Sequence, residues 1–228
     1  MTMITRTRIK LCGLSRPEDV EAAVAAGADA IGLVFYPPSP RNVSAAQAAR
    51  LLQELPPFVS SVGLFVNADL AQVTQVLSAA PISMLQFHGD ESPEQCARIA
   101  EAVGRPFLRA LRIRPETQPA DLLESTYTYR SASPLCAGLL LDTWSDAYGG
   151  TGKAFDWSLI PAEIAHQAVL SGGLNVQNVT DAVRRIRPHA VDVSSGIEAG
   201  KGVKDASLMH AFVQAVRAGD LDAGSDRQ

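Results

Sequence analysis

The 228-residue chain lacks any run approaching the ~18 consecutive apolar residues that a helix needs to cross a bilayer, so no membrane role is expected. Cysteine is scarce. Cys12, Cys96 and Cys136 are odd in number and lack metal-ligand spacing, which argues against a disulfide framework and for a reducing, cytoplasmic setting. Met1–Arg6 contains no apolar core of a secretion signal. Histidine is scattered as His88, His166, His189 and His210, without the spacing that clamps zinc on a helix, so no protein-bound metal is expected. Basic excess is missing too. A formal charge of −4 leaves no footprint for nucleic acid, while a local cationic pocket stays compatible with a small anionic metabolite.

What is present is an ordinary globular composition, 46% apolar and 19% charged, at a length that suits one domain spanning 1–228. Only the residues from about 218 onward, rich in Gly, Asp and Ser, read as a disordered tail.

Short apolar runs alternate with amphipathic segments along the chain. Strands are expected at Arg8–Cys12, Asp29–Phe35, Phe58–Val66, Ile82–Phe87, Phe107–Ile113 and Gly138–Asp142, and in the apolar runs beginning at Ala168 and Ala190. Between them, capping signals open helices: Ser15-Arg16-Pro17-Glu18, Ser44 with Gln47, and Ser92-Pro93-Glu94-Gln95. Further helices are expected over Asp69–Ala79, from near Asp156 to about His166, over Val176–Arg185 behind a cap at Asn175, and roughly over Lys204–Arg217. Gln118–Leu135 has only a weak helical pattern, so that crossover is expected to be short or irregular. Eight near-continuously apolar strands covered by helices imply a parallel sheet. A closed (β/α)8 TIM barrel is favoured over an open doubly wound sheet, because the glycine-rich loops come in tandem at the chain's end and not after the first strand.

Those loops are Ser171-Gly172-Gly173 and Ser194-Ser195-Gly196, the latter followed by an expected short helical turn over Gly196-Ile197-Glu198. Glycine lets a dianion approach the backbone closely, and helix starts offer unpaired N–H groups, so both loops read as a phosphate grip. In a barrel, reactive side chains converge where strands end. That leaves Cys12, followed by Gly13, which should keep the thiol accessible, Arg41 in a proline-stiffened loop, His88, Arg112 and Asp142. A carboxylate directly after Leu139-Leu140-Leu141 is costly unless partnered or functional. A guanidinium at the mouth suits a substrate carboxylate. His88 has no triad nucleophile beside it and reads as a substrate-positioning or supporting residue. Tyr148-Gly149-Gly150-Thr151-Gly152-Lys153 looks like a P-loop, yet Ala147 and Ala154 stand where that motif needs glycine and a hydroxyl residue; it reads as a lid.

Taken together, Lys10-Leu11-Cys12-Gly13-Leu14, Gln86-Phe87-His88-Gly89, Leu140-Leu141-Asp142-Thr143, the Gly149–Trp157 segment, Leu170-Ser171-Gly172-Gly173-Leu174 and Asp192-Val193-Ser194-Ser195-Gly196-Ile197-Glu198 resemble the phosphoribosylanthranilate isomerase family of tryptophan biosynthesis. The likeness runs in order from Lys10 to about Phe212; Phe87 stands where leucine is more usual. The resemblance implies a cofactor-free Amadori rearrangement of a small phosphorylated substrate by a monomer or homodimer. Cys12 would be the general base and Asp142 the general acid. Arg41 would clamp the anthranilate carboxylate, with His88, Gly172, Gly173, Ser194, Ser195 and Gly196 also binding substrate. Two alternatives share the barrel and its grip. An isomerase of the histidine-pathway type resembles an aspartate pair where this chain has Cys12, and a non-catalytic phosphosugar-binding barrel needs neither Cys12 nor Asp142.

Overall fold

Strand β1 (Arg8–Cys12) pairs in parallel with β2 (Ala30–Phe35) on one side and with β8 (Ala190–Val193) on the other, and the second pairing closes the sheet. Between them run β3 (Ser60–Phe65), β4 (Met84–Phe87), β5 (Phe107–Ile113), β6 (Cys136–Thr143) and β7 (Val169–Leu170), each bonded in parallel to the next. The computed structural model describes residues 6–144 and 154–225. The crossovers are helical, α1 (Pro17–Ala26), α2 (Ala45–Leu51), α3 (Leu70–Ala79), α4 (Pro93–Val103), α5 (Pro119–Ala132), α6 (Ala162–Ala165) and α7 (Val179–Ile186), with α8 (Ala206–Ser225) last. This is the (β/α)8 barrel expected from the alternation.

The two-residue period of a strand decides where the site forms. One set of side chains, including Ile9, Leu11, Ile31, Leu33, Leu139, Leu141, Val191 and Val193, packs outward against the helices in the large core. The intervening set, Leu108, Ala110, Leu140, Val169 and Ala190, with Met84 against it, fills the floor of the barrel. Two residues further along each strand the same inward positions turn polar: Arg112 after Ala110, Asp142 after Leu140, Ser171 after Val169, Asp192 after Ala190, Gln86 after Met84. The mouth is thus built by the register that packs the floor.

Several boundaries differ from those the sequence suggests. The crossover over 118–135 contains a regular 14-residue helix. Pro119 opens it, the Gln118 N–H donates to Asp121, and buried Leu122 and Tyr129 anchor it, so tertiary packing outweighs its weak propensity. In the sixth crossover Pro161 interrupts the expected helix, leaving a 3-10 turn at Trp157–Leu159 and a single helical turn, α6. Helix α7 starts later than Asn175, because Asn175 Oδ1 accepts from the Gln177 N–H and Asn178 Oδ1 accepts from the Asn175 N–H, turning the chain first. Arg16, not Ser15, occupies the N-cap position of α1, and no side chain caps it, so the expected capping box does not form. Helix α8 runs past Arg217 to Ser225, into the stretch that composition marks as disordered: the Asp220 carboxylate accepts from the Thr7 N–H at 3.1 Å and its hydroxyl at 2.6 Å. The P-loop-like segment lies outside the described residues. Between β8 and α8 the chain forms the expected short helical turn, one residue earlier, as a 3-10 turn at Ser195–Ile197, and then a small hairpin not anticipated from sequence, β9 (Glu198–Gly200) and β10 (Val203–Lys204).

Candidate active site

A cavity of about 90 Å³ opens at the C-terminal ends of the strands. Its wall brings together Cys12, Arg41, His88, Asp142, Gly172, Gly173, Ser194 and Ser195, drawn from six separate loops and strand ends, together with Gln86, Ser171 and Asp192. Gly196 does not line it. A Cβ there would lie 2.0 Å from the Leu174 carbonyl oxygen, so Gly196 is where the loops after β7 and β8 touch. Gly172, at φ +78°, is equally confined: a Cβ would lie 2.2 Å from the Thr143 nitrogen and 2.8 Å from Asp142 Oδ1. The first grip glycine therefore packs on the acid's own strand end.

Cys12 is 3% exposed, so the thiol expected to stay accessible beside Gly13 is largely buried, although it still lines the cavity. Gly13, at φ +78°, makes room for the Arg41 stem, since a Cβ there would lie 2.5 Å from Arg41 Cδ. On the other side Gly32 leaves space for the thiol itself; a Cβ would come within 2.6 Å of Cys12 Sγ. Burial pushes the Cys12 thiol above its ordinary value, and Asp192 adds to the rise, while Lys10 and, more weakly, Lys204 pull it down without prevailing. Lys10 lies one register position behind, its ammonium 2.7 Å from Asp192 with both side chains buried. Burial disfavours that ammonium, yet Asp192 and the thiol hold its titration above the ordinary lysine value.

Asp142 is held from two sides. Its Oδ1 accepts from the Thr143 N–H at 2.9 Å, and its Oδ2 lies 3.0 Å from His88 Nε2. Gln86 completes the row, with Nε2 3.0 Å from His88 Nδ1 and with Oε1 buried and without a partner among the described residues. His88 in turn rides on a loop tied down by a buried network. Arg109 donates to the Phe87 and Gly89 carbonyls, to Glu91 and to the Tyr129 hydroxyl, and Glu91 accepts from the Gly89 and Asn67 N–H groups.

Arg41 meets a partner that sequence reasoning assigned no role. Its Nε and Nη2 donate to Glu198 Oε1 and Oε2 at 2.6 and 2.9 Å, and Lys204 Nζ donates to the same Oε1 at 2.7 Å. Burial would push Glu198 up, but the bonds to Arg41 and Lys204 hold it below the ordinary carboxylate value. Lys204 also reaches the Ser194 carbonyl at 2.8 Å, and burial lowers its ammonium despite Glu198. Gln86, Asp192 and Lys10 were within reach of sequence: each is a polar residue inside an apolar strand, the signal that marked Asp142. Glu198 and Lys204 were not, because both belong to the hairpin that carries no strand-end signature.

The chain's likenesses agree with this geometry. A family model for N-(5′-phosphoribosyl)anthranilate (PRA) isomerase matches residues 9–215. The N-(5′-phosphoribosyl)anthranilate isomerase of Herminiimonas arsenicoxydans is 62% identical over 219 residues, covering 96% of each chain. The crystal structure of phosphoribosyl anthranilate isomerase from Thermotoga maritima superposes with a TM-score of 0.81 at 41% identity, covering 92% of this chain and 98% of that one. A phosphoribosyl anthranilate isomerase in complex with reduced 1-(o-carboxyphenylamino)-1-deoxyribulose 5-phosphate superposes at 0.78 with 38% identity, over 92% and 98% of the two chains. The chain belongs to the N-(5′-phosphoribosyl)anthranilate isomerase family.

Proposed function

We propose that this chain converts N-(5-phosphoribosyl)anthranilate into 1-(2-carboxyphenylamino)-1-deoxyribulose 5-phosphate, in the cytoplasm, as a step of tryptophan biosynthesis. The observation that carries the reading is the meeting of Cys12, Asp142 and Arg41 with both glycine-rich loops on one cavity. The substrate presents a phosphate at one end and an aryl carboxylate at the other, with the reacting ribose between. Gly172, Gly173, Ser194 and Ser195 face the phosphate, with Gly196 holding the two loops against each other, and Arg41 faces the carboxylate.

The chemistry is a proton relay within one molecule. Asp142, carrying a proton, gives it to the ribose ring oxygen; the C1′–O bond breaks while the anthranilate nitrogen pushes its lone pair into a C1′=N iminium. That cation acidifies the C2′ proton, which the Cys12 thiolate removes, and the C–H electrons form the enolamine that tautomerises to the ketone. Reduction at C1′ balances oxidation at C2′, so no external oxidant, reductant or cofactor enters. Lys10, drawn toward the thiol in the same buried cluster, is the cation that stabilises the thiolate. His88, beside Asp142, keeps the acid aimed and exchanges a hydrogen bond with it in either protonation state.

The protein would act as a monomer or homodimer, and its molar mass by light scattering decides between them. The test of function is loss of substrate fluorescence on adding enzyme to freshly generated phosphoribosylanthranilate. A pure, folded protein that leaves the fluorescence decay at its uncatalysed rate removes the proposal.

A further inference from the structure

The Glu198 carboxylate is 5% exposed on its side chain and fully engaged. It accepts from Arg41 Nε and Nη2, from Lys204 Nζ, and from the Gly202 N–H at 3.1 Å. An ionised carboxylate offers about four lone-pair directions, so nothing is left with which Glu198 could contact a ligand. Arg41, in contrast, is only partly used. A guanidinium carries five N–H donors in a rigid plane, and Glu198 takes the side-on pair, one from Nε and one from Nη2. The end-on pair, Nη1 with the second Nη2 donor, has no partner among the described residues, and Arg41 lines the cavity.

We propose that Glu198 is a positioning residue for substrate recognition: it grips Arg41 side-on so that the end-on fork is presented to the substrate carboxylate. The proposal rests on the reading of Arg41 as the carboxylate clamp. Its physical basis is geometric. An arginine stem has several rotatable bonds, and holding the plane of its guanidinium removes that freedom before substrate arrives. The stem is already confined beside Gly13, where a Cβ would meet Arg41 Cδ at 2.5 Å, and Glu198 fixes the remaining rotation of the head. Lys204 supplies the second positive charge, so the cluster of Arg41, Glu198 and Lys204 keeps a net charge of +1 beside the cavity. The same lysine holds the Ser194 carbonyl at 2.8 Å and the Ser194 hydroxyl at 3.2 Å. One buried carboxylate therefore aligns the clamp for one end of the substrate while resting on the loop that faces the other.

The experiment compares wild type, Glu198→Gln, Arg41→Ala and the double variant by steady-state kinetics, with inhibition by inorganic phosphate measured alongside. Glutamine keeps the shape of Glu198 but turns an N–H toward Nη2, which breaks the paired grip. Glu198→Gln is expected to raise KM about tenfold while leaving kcat within about threefold, the mark of lost uniform binding. In the Arg41→Ala background the same change should raise KM no further, and phosphate inhibition should be unaltered throughout. An unchanged KM in Glu198→Gln, with KM raised in Arg41→Ala, overturns the positioning role and leaves the clamp standing. So does an equal KM increase in both backgrounds, or a parallel loss of phosphate inhibition, since either means Glu198 acts through the loop. An unchanged KM in Arg41→Ala overturns the clamp and the proposal with it. If Glu198→Gln does not fold, Glu198→Asp retracts the carboxylate by one methylene with its charge intact, and the same KM-selective loss is expected.

Discussion

His88 Nε2 lies 3.0 Å from Asp142 Oδ2, and this contact ties the state of the acid to the tautomer of the imidazole. Where Gln86 Nε2 donates to Nδ1, the proton of a neutral imidazole sits on Nε2 and is donated to a bare carboxylate. For Asp142 to hold the proton it must give, Nε2 must accept, so the imidazole proton moves to Nδ1. Gln86 can follow by turning its amide, bringing Oε1, which has no partner among the described residues, to face Nδ1–H. The row of three side chains thus has an arrangement suited to the acid and one suited to its conjugate base.

His88→Asn should accordingly lower kcat by ~10- to 10²-fold with little effect on KM, because the loss falls on the proton donor and not on either anionic end of the substrate. Steady-state kinetics on a variant with wild-type circular dichroism check this. A rise in KM with kcat intact would move His88 to a purely binding role.

The glycine-rich loops make a separate prediction. Backbone donors in these loops should bind inorganic phosphate without the rest of the substrate, seen as competitive inhibition. Gly172→Ala meets both a positive φ of 78° and backbone 2.2 Å away, and Gly196→Ala meets a carbonyl oxygen at 2.0 Å. Each should weaken phosphate inhibition about tenfold or more and cost about 1–3 kcal/mol of stability through overpacking. Phosphate inhibition that survives in both variants would place the grip elsewhere.

Much of this organisation was legible in the sequence, for identifiable reasons. Eight parallel strands followed from counting apolar runs, closure of the barrel from the tandem glycine-rich loops at the chain's end, and the wall residues from asking which strand ends turn polar. The failures share a cause, since each concerns a feature set by tertiary contact. Helix α5 forms over poor helix formers because Leu122 and Tyr129 are buried and the Tyr129 hydroxyl reaches the Glu91 carbonyl at 2.9 Å. The end of α8 is ordered by Thr7, more than 200 positions away in the chain. Glu198 looks like a surface residue after a glycine turn until Arg41 and Lys204 arrive from other segments. Gly13 suggests from sequence an exposed Cys12, whereas its missing side chain accommodates Arg41.

The ionisation of Cys12 gives a pH prediction with a definite sign. The thiolate is the reactive form, and burial pushes the thiol above its usual value, so kcat/KM should rise with pH on an ascending limb lying above the ordinary cysteine range. Lys10 opposes that rise more strongly than Asp192 supports it. Replacing both, Lys10→Met with Asp192→Asn, avoids stranding a buried charge and should shift the limb to still higher pH. A pH profile of kcat/KM with the limb unmoved or moved to lower pH would remove Lys10 as the stabilising cation.

The last prediction joins base and acid, because the reaction asks each for the ionisation state opposite to the one it prefers in water. A free cysteine titrates near ~8.5 and a free aspartate near ~3.9, so neutral solution supplies thiol and carboxylate, whereas the relay needs thiolate and carboxylic acid. The cavity works on the two differently: Lys10 stands behind the thiol, and His88 faces the carboxyl. Cys12→Ser retains the shape of the base and replaces it with a hydroxyl that stays protonated. Asp142→Asn keeps the bond from the Thr143 N–H but has no proton to give to the ring oxygen. Each should lower kcat by at least ~10²-fold, the lower range for general acid or base catalysis, while KM stays within about threefold, since neither residue faces the phosphate or the carboxylate. Circular dichroism and thermal melts establish that both variants fold. A kcat near wild type in Cys12→Ser would take the proton-abstracting role from the cysteine, and the same result in Asp142→Asn would require a different donor at the ring oxygen.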